Sequence, residues 1–291
     1  MGLALPLHRG KSASMAAGSS AMASHLGRLY RRRDAWLALH SESARERGAL
    51  CPSLGSGVKP RELIAQAQIP GGDALRLYRR DGDFMIVLGG NELMSSRMRS
   101  SEEELAERTC ERLREDAPSL LIGGYGMGFT LRAALAKLGA EARVQIAELV
   151  PEVIAWARGP MASLTSGCLD DPRVEVVADD VAAVIARAQG RYDAILLDVD
   201  NGPEGLTRAG NDQLYSVSGL TAARAALQPG GLLSIWSASP DAQFGRRLHD
   251  AGFEVEEILV RGRAARGPRH MIWLAANGGN RRIKPAFSRP R

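Results

Sequence analysis

Leu121-Ile-Gly-Gly-Tyr-Gly-Met-Gly128 is a short apolar run that breaks into glycines at 123, 124, 126 and 128, and a second apolar run downstream closes on an acid in Ile146-Ala-Glu148. A strand, a Gly-rich turn and a helix, followed by a strand that ends in a carboxylate, is the way a Rossmann-type sheet holds a nucleoside cofactor. Glycine lets the backbone turn tightly and approach the ligand, and the carboxylate accepts hydrogen bonds from ribose hydroxyls. The stretch predicts a nucleoside site in which Gly124, Tyr125, Gly126, Met127 and Gly128 lie against the cofactor and Glu148 faces its ribose.

Outward from this turn the chain alternates apolar runs with helical segments, which predicts a mainly parallel sheet covered on both faces. Strands are expected at 119–123, 143–148, 174–178, 192–198, 231–236, 254–260 and 270–275, with helices near 128–138, 151–158, 180–188, 213–227 and 240–251. Pro151 suits a first helical turn, and Pro229-Gly-Gly231 separates a helix from a strand. The connection between the last two strands, with Gly262, Gly267 and Pro268, leaves no room for a crossover helix, so that pair is expected to be antiparallel. The expected fold is therefore α/β: a Rossmann-like seven-stranded, mostly parallel sheet with an antiparallel terminal hairpin, preceded by a small β-hairpin domain.

That small domain is read from Ala74-Leu-Arg-Leu-Tyr78 and Phe84-Met-Ile-Val-Leu88, two strands joined by the hairpin signal Arg80-Asp-Gly82, with Leu93-Met94 continuing the meander. Arg61 to Ala67 reads as a short helix, and Ser100-Ser-Glu-Glu-Glu as a serine-capped helix start with acids in its first turn. The expected organisation is a disordered basic extension over 1–60, the β appendage over 61–99, the cofactor-binding domain over 100–275 and a disordered basic tail over 276–291.

The chain has 291 residues and a formal net charge of +5, which invites a nucleic-acid reading until the charge is located. Residues 1–33 carry six Lys or Arg and no acid, and residues 276–291 carry five and no acid, so the intervening part is net acidic. No basic groove on the folded part, and no nucleic-acid partner, is expected. No apolar run reaches the length of a membrane span, so no membrane association is expected either. Cys51, Cys110 and Cys168 are widely spaced and the five histidines show no metal-ligand spacing with them, so reduced thiols, a cytoplasmic setting and no metal are expected.

Three acidic turns follow apolar runs. Asp179-Asp180 follows Val174-Glu-Val-Val-Ala178, where a carboxylate can accept from an adenine amino group; Asp180 equally suits a helix cap. Asp198-Val-Asp-Asn-Gly-Pro203 follows Tyr192-Asp-Ala-Ile-Leu-Leu197 and sets Asp198, Asp200 and Asn201 beside the expected cofactor, where they can orient an acceptor and take its proton. The other reading of that turn is an Asx-type loop bonded to its own backbone. Tyr215, a little beyond, is a candidate lining residue for the acceptor.

Taken together, Leu121–Gly128, Glu148-Leu-Val-Pro-Glu-Val-Ile154, Asp170-Asp-Pro-Arg-Val-Glu-Val176, Asp179-Asp180, Tyr192-Asp-Ala-Ile-Leu-Leu-Asp198 and Leu227-Gln-Pro-Gly-Gly231 resemble the spermidine synthases, or polyamine aminopropyltransferases. The resemblance covers about residues 74–275. It implies a place in the class I S-adenosylmethionine-dependent superfamily, with S-adenosylmethionine or its decarboxylated form as cofactor, Glu148 on the ribose, Asp180 on the adenine amino group and Asp198 as the catalytic acid that helps deprotonate an attacking amine. A homodimer is a possible assembly.

The same comparison exposes differences. The family's Gly-Gly-Gly-Asp-Gly-Gly loop carries an aspartate for the aminopropyl arm, and its place is taken by Gly126; the family's Tyr-His-Glu element is absent, the region reading Ser101-Glu-Glu-Glu-Leu-Ala-Glu107; and the second polyamine-binding aspartate corresponds only loosely to Asp200. Methyl transfer to a small-molecule acceptor, with an amine among the candidates, is therefore the leading expectation. Aminopropyl transfer from decarboxylated S-adenosylmethionine and a non-catalytic nucleoside-binding role are the alternatives.

Overall fold

The computed structural model describes residues 60–70, 72–199, 202–203, 213–263 and 266–278. The expected basic extension up to residue 59, the tail beyond 278, Asp200 and Asn201 lie outside the described residues.

Two sheets form among these residues. The first is an antiparallel meander in the order β1 (Glu62–Gln68), β2 (Ala74–Arg80), β3 (Asp83–Leu88), β4 (Asn91–Ser95). Asp81 and Gly82, at φ 52° and 86°, make the β2–β3 turn. Positive φ at both central residues matches the right-handed twist of the strands, which is why Asp-Gly is a hairpin signal. Residues 61–67 were expected to be helical and are instead the edge strand β1, paired with β2 from Glu62↔Arg79 to Gln68↔Ala74. Leu, Ala, Gln and Glu favour helix weakly, and an unpaired neighbouring strand outweighs that preference.

Helix α1 (Ser100–Cys110) leads into the second sheet. Ser100 was expected to cap it but lies inside it; the capping position is Arg99, with no side-chain cap. The large sheet comprises β5 (Ser119–Gly123), β6 (Arg143–Glu148), β7 (Val174–Ala178), β8 (Tyr192–Leu197), β9 (Leu227–Ser237), β10 (Phe253–Arg263) and β11 (Arg266–Asn277), in the spatial order β10-β11-β9-β8-β5-β6-β7. Pairings from β7 across to β9 are parallel, while β11 runs antiparallel to both β9 and β10. The terminal hairpin is longer than the sequence suggested, because Arg261↔Arg269 and Arg263↔Arg266 still pair.

The crossover helices are α2 (Phe129–Lys137), α3 (Pro151–Arg158), the single turn α4 (Ala162–Thr165), α5 (Val181–Ala186), α6 (Val217–Ala226) and α7 (Ala242–Asp250). Side chains supply their starts where the sequence offers them. Asp180 accepts from the Ala182 amide at 2.8 Å, Ser216 from Gly219 at 3.1 Å, and Asp241 from Gln243 at 2.8 Å.

Both faces of the large sheet are covered by apolar cores. One core contains Leu121, Tyr192, Ile195, Leu197, Phe244 and Trp273. The other joins Leu120, Ile122, Leu196 and Ile272 to Leu77, Phe84, Ile86 and Leu88 of the small sheet. The small sheet thus buries its inner face against the same core that supports the carboxyl ends of the parallel strands, and it roofs that end. No helix among the described residues is long and apolar enough to cross a membrane.

Candidate active site

The Gly-rich turn leaves β5 with Gly124, Gly126 and Gly128 all at positive φ (80°, 54° and 75°), a conformation that only glycine adopts without strain. The turn is tied to both flanking strands: the Gly124 amide donates to Ala147 O at 2.9 Å and the Asp198 amide to Gly123 O at 3.2 Å. At Gly124 there is also no space for a side chain, since a Cβ would lie 2.8 Å from the Asp198 carbonyl. The turn and the acidic β8 terminus are therefore in direct backbone contact.

Beside them a cleft encloses about 890 Å³ including its open mouth, within the size range of small-ligand sites. Gly124, Gly126, Glu148, Asp180 and Asp198 line one side of it, and Ile69, Leu75, Ile86, Leu93 and Met94 of the small sheet line the other. One wall carries acids and backbone; the opposite wall is apolar.

Glu148 ends β6 and is almost fully buried. Its two oxygens accept from the amides of Tyr125 and Val150, both at 2.9 Å. Burial raises its pKa, and those amides pull against the rise. The Gly126 and Leu149 amides also act on it, and the carboxylate held in this way lines the cleft. Asp180 both caps α5 and lines the cleft. Asp179 points elsewhere: it pairs with Arg187 at 2.5 Å, which lowers its pKa, and it does not line the cleft.

Asp198 follows the last residue of β8. Its Oδ2 accepts from the Thr130 hydroxyl, on α2, at 2.6 Å, and burial pushes its pKa up to about 6 against that hydrogen bond. Among the described residues no cation pairs with it. Close by in α1 is Glu102, 6% exposed, whose carbonyl lies 3.5 Å from the Thr130 hydroxyl. Burial first, then the charges of Asp198 and Glu103, raise the Glu102 pKa well above the usual carboxylate range.

The sequence singled out Glu148, Asp180 and Asp198, and all three line one cleft. It missed Glu102, Thr130 and Met94. The signal for Glu102 was present: Leu105, Ala106 and Thr109 form the inward stripe of α1, and Ser101 and Glu102 lie on that stripe one turn earlier. Tyr125 does not face the cleft; its hydroxyl lies 3.6 Å from Cys168 Sγ in the core. Met127 is completely buried, and Gly128 caps α2. Tyr215 is a core residue packed edge-on against Phe244, with centroids 5.6 Å apart, rather than part of the cleft lining.

The position that the resemblance reserves for a loop acid packs here against the end of a methionine side chain. A Cβ at Gly126 would meet Met94 Sδ at 2.5 Å, so a methionine of the small sheet occupies the space a side chain would enter.

Comparison with known proteins agrees with this architecture. Residues 100–244 match the Spermine/spermidine synthase domain. The polyamine aminopropyltransferase of Mycobacterium tuberculosis (strain CDC 1551 / Oshkosh) is 35% identical over 129 residues, which is 43% of this chain and 24% of that protein. Polyamine aminopropyltransferase 1 of Streptomyces coelicolor is 36% identical over 150 residues, 49% of this chain and 27% of the relative. The chain thus spans about a quarter of the length of these curated relatives. Among solved structures, the spermidine synthase from Thermotoga maritima superposes with a TM-score of 0.57 at 21% identity, covering 74% of this chain and 72% of that one. A spermidine synthase in complex with the transition state analogue AdoDATO gives 0.58 at 22% identity, with the same coverage. The shared fold, the Gly-rich turn and the matched domain lead to one conclusion: the chain belongs to the spermidine synthase-like branch of the class I S-adenosylmethionine-dependent superfamily.

Proposed function

We propose that the chain is an aminopropyltransferase that moves the aminopropyl group of decarboxylated S-adenosylmethionine to a small aliphatic amine. The sequence reading ranked methyl transfer first because position 126 is glycine. The relatives, named polyamine aminopropyltransferases, favour the alternative instead. The observation that carries the proposal is the position of Asp198: a half-buried carboxylate, with no cation partner among the described residues, in the cleft formed by the Gly-rich turn.

In this reading the adenosine half lies along the Gly-rich turn, Glu148 accepts from the ribose hydroxyls and Asp180 from the adenine amino group. When bound, the sulfonium cofactor supplies an electrophilic carbon with a good leaving group, and the protein aligns the nucleophile with it. Asp198 takes a proton from the acceptor ammonium. The freed amine forms a C–N bond as the C–S bond breaks, and the electron pair leaves with sulfur as a neutral thioether. Burial, by raising the Asp198 pKa to about 6, narrows the gap to an alkylammonium of pKa about 10 and makes the carboxylate a stronger base.

The test is incubation of the full chain with decarboxylated S-adenosylmethionine and putrescine, followed by mass spectrometry. Equal amounts of methylthioadenosine and aminopropylated amine are expected. Methylated product from S-adenosylmethionine, with no product from the decarboxylated donor, would sink the proposal.

A further inference from the structure

Threonines in helices commonly turn their hydroxyls back onto a carbonyl of their own helix. Thr109, Thr165 and Thr221 do so here, bonding Leu105 O, Ala162 O and Val217 O at 2.7, 3.1 and 2.7 Å. Thr130 departs from this habit. It is 3% exposed and lies in the first turn of α2, two residues past the capping Gly128. Its hydroxyl leaves its own helix and reaches Asp198 Oδ2 at 2.6 Å. A second acceptor, the Glu102 carbonyl of α1, is 3.5 Å away. The hydroxyl has one proton to give, and the closer, charged acceptor takes it.

The two ends of Asp198 are therefore fixed by different groups. Its main chain is held by the Gly-rich turn: the amide donates to Gly123 O at 3.2 Å, and the carbonyl packs against Gly124. Its side chain is held by Thr130, the one described side chain that hydrogen-bonds the carboxylate. Oδ1 has no hydrogen bond to a described residue, and Asp198 lines the cleft.

The charged groups nearby do not do this work. On α1, burial first and then the charges of Asp198 and Glu103 raise the Glu102 pKa, and Glu103 is taken by Arg132 of α2 at 2.8 Å and by Arg99 at 3.6 Å. The other ionisable residues lining the cleft, Glu148 and Asp180, are acids. Leu93 and Met94 of the small sheet are apolar. The Thr130 hydrogen bond opposes the burial that otherwise keeps Asp198 protonated.

We propose that Thr130 is a positioning residue for proton transfer: by holding Asp198 Oδ2 it leaves Oδ1 as the oxygen that takes the proton from the acceptor ammonium. Its effect on turnover rests on the aminopropyl-transfer reading; its hold on Asp198 does not. The proton passes from the ammonium nitrogen to Oδ1, the freed amine forms the C–N bond, and the C–S electron pair departs with sulfur.

Carbon-13 NMR titration of the full chain reads the hold without any turnover, the Asp198 carboxyl signal being the one lost in Asp198→Asn. Wild type is expected to titrate at about 6. A hydrogen bond to the ionised form favours that form, so Thr130→Val is expected to move the midpoint upward by about one pH unit, and Thr130→Ser, which keeps the hydroxyl, to restore it. At about pH 9, where Asp198 is ionised in both proteins, kcat of Thr130→Val should fall about ten-fold while KM for the amine changes less than about three-fold. A Thr130 that only packed the helix would lower stability and leave the midpoint in place; an unmoved midpoint in Thr130→Val overturns the proposal. Should Thr130→Val fail to fold, Thr130→Ala takes its place with the same two outcomes. The two readings fail separately. A midpoint that depends on Thr130 without aminopropyl product removes the reaction and leaves the hold; aminopropyl transfer whose kcat and pH profile ignore Thr130→Val removes the positioning role and leaves the reaction.

Discussion

Asp198 connects chemistry and stability at the level of a single side chain. Its folded pKa, about 6, lies above that of an unfolded aspartate. The protonated form is therefore favoured in the native state, and the associated stability is complete below about pH 4 and lost as pH rises through about 6. Asp198→Asn removes the ionisation. It is expected to stabilise the unliganded protein at pH 8 by about 2 kcal/mol, the shift discounted because the carboxylate borders a cleft that water enters, and to change little at pH 4. Turnover should fall by roughly 10²–10⁴ if the residue is the proton acceptor. Urea unfolding at the two pH values checks the first statement; an identical effect at both would refute it. Gly126 gives a second test. Aspartate tolerates positive φ better than most residues, but its Cβ would strike Met94 Sδ. Gly126→Asp is expected to cost about 1–2 kcal/mol, and Met94→Ala in the same chain to recover part of that, measured as a double-mutant cycle. Glu148, Asp180 and Asp198 were legible because each terminates or follows an apolar run, which places it at the carboxyl edge of a parallel sheet. Met94 was not legible, because its partner is a glycine more than thirty positions away by sequence, brought close only by tertiary packing.

At the level of elements, α1 is anchored to the large sheet by a buried hydrogen bond. The Thr109 hydroxyl lies 2.7 Å from both Leu105 O and Ser234 Oγ of β9. Ser234 is fully buried, so Thr109→Ala leaves its hydroxyl short of a partner. The expected loss is about 1–3 kcal/mol, with Thr109→Ala and Ser234→Ala together costing less than the sum of the two, because the orphaned group is removed. Thermal unfolding of the three variants reads this directly; strict additivity would show that the bond is not the anchor. Element types were legible where periodicity and turn chemistry agreed, as in Pro151 at the start of α3 or Asp81-Gly82 at the hairpin. They misled at β1, where Glu62-Leu-Ile-Ala-Gln-Ala-Gln68 has helical composition and strand character comes only from pairing with β2. The helix start was likewise misjudged, since Ser100 lies inside α1 and Arg99 holds the capping position with no side-chain cap.

Across the whole described unit, the parallel part of the large sheet and its antiparallel terminal hairpin follow from which connections between apolar runs are long enough to hold a helix, which is why both could be read from the spacing of those runs. The relation of the small sheet to the rest could not be read in that way. Hairpin signals look the same whether the hairpins form an independent unit or one wall of a shared core. Here Leu77, Phe84 and Ile86 belong to one apolar cluster with Leu105, Leu120 and Ile272. A four-stranded meander of this size gains most of its stability from such packing. Unfolding of the small sheet would also uncover the apolar wall of the cleft. Leu77→Ala, at a fully buried position on β2, is therefore expected to cost about 2–5 kcal/mol and to lower a single transition shared by both sheets. Hydrogen exchange by residue separates this from the alternative. Amides of β2–β3 and of β5–β8 should lose protection together in the variant. If the small sheet alone became labile while the parallel strands kept their full protection, the two sheets would be separate cooperative units and the cleft would be a boundary between them.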